Sequence, residues 1–241
     1  MQYYFIGGLG SNSYHLAPLI DELGFPVTFL DPYREIIQTE NDLRVWFQDQ
    51  ISQAEEICLL GHSLGGDLAR YLAAQFPQIH ALILLDGGYL DMEKILPLEE
   101  ELDGTLSFMQ QQVFATLEEA VLSELGDGAD LTPIARKAVE ASYRWNPVSE
   151  QYELNLDLEK ILALLRLRRQ MNTYQIPLAD LPVLFIGPRY QEEPEWRKDA
   201  LKQLDPQIKQ VLLEGLGHEL YTEAPEIVAR EVNNWLQNVH K

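Results

Sequence analysis

The sequence predicts an α/β fold: a mostly parallel six-stranded sheet flanked by helices, with an all-helical insertion after the fourth strand. Three observations predict it. Apolar runs of four or five residues recur, as in strands covered on both faces. Amphipathic stretches alternate with them, which implies parallel strands joined by helical crossovers. The alternation stops between Leu90 and Gln175 and then resumes.

In chain order, Tyr3-Tyr4-Phe5-Ile6 reads as a strand stopped by Gly7-Gly8. Ser13 to Leu23 reads as a helix, with Leu16, Leu19, Ile20 and Leu23 on one face. Val27 to Leu30 is the second strand, and Leu43, Trp46, Phe47 and Ile51 mark the next helix. Ile57 to Leu60 is a third strand, Leu64 to Phe76 a helix, and Ala81 to Leu85 a fourth strand. Three long helices are expected next, at Leu106–Leu125, Pro133–Tyr143 and Leu156–Tyr174. Strands then return at Pro182–Ile186 and Ile208–Leu213, with helices at Pro194–Leu204 and Pro225–Val239. Residues 1–89 and 176–241 are therefore expected to form the core, and 90–175 the insertion.

The chain has 241 residues and a formal charge of −20. So acidic a surface repels phosphate backbones and anionic bilayers, which argues against nucleic-acid and membrane partners. No run approaches the length of a transmembrane helix, and no secretory signal precedes the first strand, which predicts a cytoplasmic location. Cys58, the single cysteine, excludes an internal disulfide and reads as a small buried residue. The spacing of histidines, cysteine and carboxylates suggests no metal site, and no cofactor is expected.

The chemistry centres on Gly61-His62-Ser63-Leu64-Gly65, a G-x-S-x-G pattern between an apolar strand and an amphipathic helix. That setting puts Ser63 on a sharp turn, where Gly61 and Gly65 relieve crowding. A serine hydroxyl needs a base to take its proton. Of the five histidines, His218 lies in Glu214-Gly215-Leu216-Gly217-His218, just after the last strand and at the same sheet edge as Ser63. His62 is read as packing and His15 as a helix residue near the glycine loop, while His80 and His240 read as surface positions. An oxyanion hole needs two N–H donors. The amide of Leu64 is one, and that of Leu9, in Gly7-Gly8-Leu9-Gly10-Ser11, is the other.

Phe5-Ile6-Gly7-Gly8-Leu9-Gly10-Ser11, Gly61-His62-Ser63-Leu64-Gly65-Gly66 and Gly215-Leu216-Gly217-His218 together resemble the signatures of the α/β-hydrolase superfamily. The likeness covers the chain outside the insertion, which resembles that family's cap. It implies hydrolysis through an acyl-enzyme, with the cap shaping the substrate pocket. The chain departs from the pattern in starting at the strand before the oxyanion loop and in having Gly7 where many members have histidine.

The family most often carries its triad acid after the penultimate strand, but Arg189 and Tyr190 stand there. Glu192 and Glu193 follow closely. Some relatives place the acid one core strand earlier, which here is Asp86, in Leu84-Leu85-Asp86-Gly87-Gly88. Asp86 is favoured over Glu192, with Asp31 more remote. In the insertion, Phe108, Met109, Phe114, Tyr143, Trp145 and Tyr152 read as packing between helices or a pocket roof. Arg166, Arg168 and Arg169 read as a solvated basic face or a carboxylate site, and Glu99-Glu100-Glu101 as a solvated run.

The expected function is a serine hydrolase acting on a small ester, thioester or amide. Two alternatives stay open. One is a ligand-binding protein of the same fold with little turnover. The other is a different reaction on the same triad, such as carbon–carbon bond cleavage or aminopeptidase action, since fold does not fix function.

Overall fold

The computed structural model describes residues 1–51, 56–126, 132–178 and 180–239; His240 lies outside them. Its elements are β1 (Gln2–Ile6), α1 (Ser13–Leu23), β2 (Thr28–Leu30), α2 (Glu40–Ile51), β3 (Ile57–His62), α3 (Leu64–Gln75) and β4 (Ile79–Leu85). Next come α4 (Met92–Ile95), α5 (Leu98–Gln111), β5 (Val113–Phe114), α6 (Leu117–Leu125), α7 (Pro133–Ser142), β6 (Tyr143–Asn146), β7 (Gln151–Leu154) and α8 (Leu158–Met171). The chain closes with β8 (Val183–Arg189), α9 (Glu195–Gln203), β9 (Lys209–Glu214), α10 (Leu220–Glu223) and α11 (Pro225–Val239).

Six strands form one sheet in the order β2-β1-β3-β4-β8-β9, with every pairing parallel. Side chains alternate between its two faces. Tyr4, Ile6, Leu59, Leu82, Leu84 and Phe185 face a core shared with α2, α3 and α8. Phe5, Cys58, Leu60, Ile83, Leu85 and Ile186 face a second core beneath α1 and α11. This two-sided burial is why the strands read as unbroken apolar runs. Cys58 is fully buried, and burial raises its thiol pKa, as expected of an inert core residue.

The insertion between β4 and β8 corrects one expectation, because it is not all-helical. β5, β7 and β6 form a three-stranded antiparallel sheet. The single helix expected over Leu106–Leu125 is two, α5 and α6, separated by β5. These strands cover a small separate core of Ala120, Val121, Val139, Tyr143 and Leu154. Phe114 meets Tyr143 edge-on at 5.4 Å, and Trp145 meets Tyr152 at 5.1 Å. These aromatics pack on one another, while Phe108 is half exposed.

The arginine cluster and the acidic run are corrected too. Arg168 is buried and pairs with Glu101 and, at 3.5 Å, with Asp67. Arg169 pairs with Glu101 at 2.7 Å. These ion pairs pin α5 and α8 to α3, so only Arg166, Glu99 and Glu100 are solvated. On the other side Asn12, which caps α1, donates to the Ala138 carbonyl at 2.9 Å and to Ser142 Oγ at 3.0 Å, tying α7 to the core. Among the described residues no helix is long and apolar enough to cross a membrane.

Candidate active site

β3 ends at His62 and α3 begins at Leu64, so Ser63 alone makes the turn. Its backbone has φ 53° and ψ −125°, a region that L-residues rarely occupy. The strain is held from several sides. The Ser63 N–H donates to the Leu85 carbonyl at 3.2 Å, and the Ser63 carbonyl accepts from Gly66 N–H at 2.9 Å. Neighbouring backbones pass too close for side chains. A Cβ on Gly65 would lie 2.2 Å from the Ile6 carbonyl oxygen, and one on Gly87 would lie 2.4 Å from that of Ser63. The turn therefore needs glycine at both positions.

Leu64 opens α3, so its N–H has no partner within the helix and joins the positive end of the helix dipole. Leu9 follows Gly8, whose Cα lies against Ser63: a Cβ there would fall 3.1 Å from Ser63 Cβ. The loop carrying Leu9 is fixed by Tyr33, which donates its hydroxyl to the Gly7 carbonyl at 2.8 Å. It is fixed also by Ser11, whose Oγ donates to the Gly8 carbonyl at 2.9 Å.

His218 lies in the loop after β9. Gly215, at φ 76°, takes the left-handed turn that starts this loop, and Gly217 donates its N–H to Glu223 Oε2 at 2.7 Å. The His218 ring reaches back over the sheet edge, and its Nδ1 lies 2.7 Å from Asp86 Oδ2. Burial disfavours the imidazolium, but the Asp86 carboxylate outweighs it and holds the His218 pKa above its ordinary value. Burial likewise opposes the Asp86 charge, while His218 and Arg197 hold its pKa below the usual carboxylate value.

Asp86 also adopts a left-handed backbone, with φ 42°. Its other oxygen, Oδ1, accepts from Tyr89 OH at 3.1 Å and from Arg197 Nη2 at 3.1 Å. Arg197 Nε donates to the same tyrosine oxygen at 2.9 Å, and Nη1 pairs with Glu193. Arg70 fixes the next turn by donating to the Gly88 carbonyl at 2.8 Å.

Of the residues singled out in the sequence, the fold brings His218 and Asp86 into direct contact and sets Ser63 at the adjacent strand end. Glu192 is exposed on a bend before α9, and the carboxylate on His218 Nδ1 is that of Asp86. Asp31 caps the turn that follows β2 by accepting from Tyr33 N–H at 3.1 Å. His15 accepts from Asn12 N–H at 3.1 Å in the α1 capping box. His80 is exposed, as expected. His62 is buried, but its packing partner is His218 itself: the rings lie 4.7 Å apart, and His62 Nε2 is 3.0 Å from the His218 carbonyl oxygen.

The sequence matches the family described as alpha/beta hydrolase fold over residues 5–225. The chain is an α/β-hydrolase. Similar solved structures include E-2-(acetamidomethylene)succinate hydrolase, at 18% identity and TM-score 0.73, over 98% of this chain and 91% of that one. A marine microorganism esterase has 17% identity and TM-score 0.66, over 98% and 95% of the two chains. A thioesterase domain from the curacin biosynthetic pathway has 17% identity and TM-score 0.69, over 95% and 90%. At these identities the likeness shows the α/β-hydrolase fold alone. A search of curated proteins by sequence found no match.

The site also contains residues that the sequence reading passed over, namely Tyr89 and Arg197, and Glu193, named there only as an acid near the expected position, pairs with Arg197. For Arg197 a signal existed. Arg197, Ala200, Leu201 and Leu204 fall at helical spacing, and the last three pack on the core. A cation at the head of that apolar stripe needs a buried partner.

Proposed function

We propose that this α/β-hydrolase cleaves a small ester, thioester or amide through an acyl-enzyme, using Ser63, His218 and Asp86. The observation that carries the reading is the 2.7 Å contact between His218 Nδ1 and Asp86 beside the strained turn of Ser63. A carboxylate on Nδ1 fixes the proton there and leaves Nε2 as the base. Ser63 Oγ attacks the substrate carbonyl as Nε2 takes its proton, and the negative charge settles on the former carbonyl oxygen. The amides of Leu9 and Leu64 hold that oxyanion, and one such donor is typically worth 10²–10³ in rate. Collapse of the intermediate expels the leaving group, which takes the proton from His218. Water, deprotonated by the same nitrogen, then attacks the acyl-enzyme and frees the acid and Ser63.

A low-turnover ligand-binding role would suit a chain with no acid on its histidine, and the contact of Asp86 with His218 supports turnover over that role. Cap residues from the insertion would shape the substrate pocket. The test is labelling with a fluorophosphonate, followed by peptide mapping and a panel of p-nitrophenyl esters. The expected result is modification of Ser63 and steady turnover, both lost in Ser63→Ala. Modification at another residue, or turnover that survives Ser63→Ala, would refute the assignment.

A further inference from the structure

Among the described residues, one set of three side chains has the donor chemistry and proximity of a metal site: His62, His218 and Glu219, each offering one ligand atom within 4.8 Å of the others. We propose that this set binds a divalent transition-metal ion of the zinc and copper class, and that the ion switches the hydrolase off by occupying the lone pair of its base. The inhibitory part rests on the function proposed above; the binding part does not.

The argument starts from the two imidazoles. His62 is 1% exposed, and its Nε2 lies 3.0 Å from the His218 carbonyl oxygen. A carbonyl only accepts, so Nε2 carries the proton and Nδ1 is left as a bare lone pair. That Nδ1 is buried and has no hydrogen-bond partner. A buried acceptor without a donor is rare and costs free energy. It faces the site, since a Cβ on Gly8 would meet it at 2.9 Å and Ser63 Cβ at 3.1 Å. On the other ring, Asp86 holds Nδ1 of His218, which leaves Nε2 as the donor.

Each imidazole therefore already has what metal-binding histidines have: an acceptor on the far nitrogen that fixes tautomer and ring orientation. For His62 it is a backbone carbonyl and for His218 a carboxylate. The third donor is exposed. Glu219 Oε2 lies 3.9 Å from His62 Nδ1, and its side chain is 54% exposed. Rotation of Glu219 draws the oxygen inward, and the half-exposed His218 leaves an open path for an ion. Two imidazoles and one carboxylate with a fourth position for water match a common zinc donor set. Nitrogen donors favour zinc, copper and nickel over magnesium and calcium, which prefer oxygen. An ion on His218 Nε2 removes the base that Ser63 needs.

The test titrates the 241-residue chain with Zn²⁺ by calorimetry and with Co²⁺ by visible absorption, neither of which requires turnover. Expected are one ion per chain and a tetrahedral cobalt spectrum. Ser63→Ala should retain both. His62→Gln and the surface variant Glu219→Gln should each weaken binding, by on the order of 100-fold for the buried ligand. Zn²⁺ should suppress ester turnover with the same dissociation constant, and Mg²⁺ or Ca²⁺ should leave it unchanged. Absence of saturable one-to-one binding, or binding that is equally tight in both ligand variants, would overturn the proposal. If cobalt binds as expected but Ser63 is never labelled by a fluorophosphonate, the site stands and the hydrolase reading fails. If Ser63 is labelled and no ion binds, the reverse holds.

Discussion

Removing the charge of Arg197 while keeping the Asp86 carboxylate should make His218 a stronger base and the fold weaker. The guanidinium and the imidazole bind opposite oxygens of one carboxylate, at 3.1 and 2.7 Å. Their charges are therefore roughly 6 Å apart, and at an effective dielectric of about 20 they repel by about 2–3 kcal/mol. The side chain of His218 is 46% exposed, so solvent screens much of this and the net repulsion is smaller. Arg197→Met should raise the His218 pKa and move the acid limb of kcat/KM to higher pH. Arg197 and Asp86 are 1% and 6% exposed, and breaking one side of such a pair costs about 3 kcal/mol or more. For a chain of this size that lowers Tm by about 6–12 °C. Arg197→Lys keeps the charge and should restore the pH profile better than the Tm. The measurements are pH–rate profiles and calorimetry of the three proteins. An acid limb that stays in place or moves to lower pH in Arg197→Met would refute the electrostatic reasoning.

Other consequences follow from the same site. In the wild type, kcat/KM should fall as pH drops through the His218 pKa, because the protonated ring cannot accept from Ser63. The inflection should lie above the ordinary histidine value of about 6.5, since Asp86 holds the pKa up. Asp86→Asn should lower kcat by on the order of 10⁴, the scale set by loss of the correct tautomer, whereas Glu192→Gln should leave it near wild type. Equal rates in Asp86→Asn and wild type would remove Asp86 from the triad. Gly65→Ala would place a methyl 2.2 Å from the Ile6 carbonyl oxygen, so the turn must shift. Fluorophosphonate labelling of Ser63 should slow by at least tenfold, with a lower Tm; unchanged labelling would show that the turn tolerates a side chain.

The parallel core was legible because its physics is local and repetitive. Ile57–Leu60 and Ala81–Leu85 are apolar on both faces of the sheet, and Leu16, Leu19 and Leu23 form one stripe on α1. The sheet of the insertion was not, for the opposite reason. β5 has two residues, and β6 and β7 have four each, with Arg144, Asn146, Gln151 and Glu153 among them. Such segments are too short and polar to show an alternating pattern. The break between α5 and α6 did leave a sign. Thr116 and Glu119 have the spacing of a capping box, and Thr116 Oγ1 accepts the Glu119 N–H at 3.2 Å. The ion pairs of Arg168 and Arg169 with Glu101 join residues 67 and 68 positions apart, a partnership that no local window contains.

The placement of the acid follows from how far each strand runs. In the register of the sheet His62 lies opposite Leu85, and Leu85 opposite Ile186. Asp86 therefore leaves the sheet level with Ser63. β8 continues for three residues past Ile186, pairing with β9 as far as Arg189 and Glu214. A carboxylate placed after β8 would thus emerge further out than one placed after β4. Glu193, the partly buried acid in that later loop, is already committed to Arg197. The same arginine grips Asp86, so the two carboxylates are partners of one cation rather than rivals for one histidine. That shared cation, reached only through the tertiary fold, is what holds a left-handed aspartate at the end of β4 against His218.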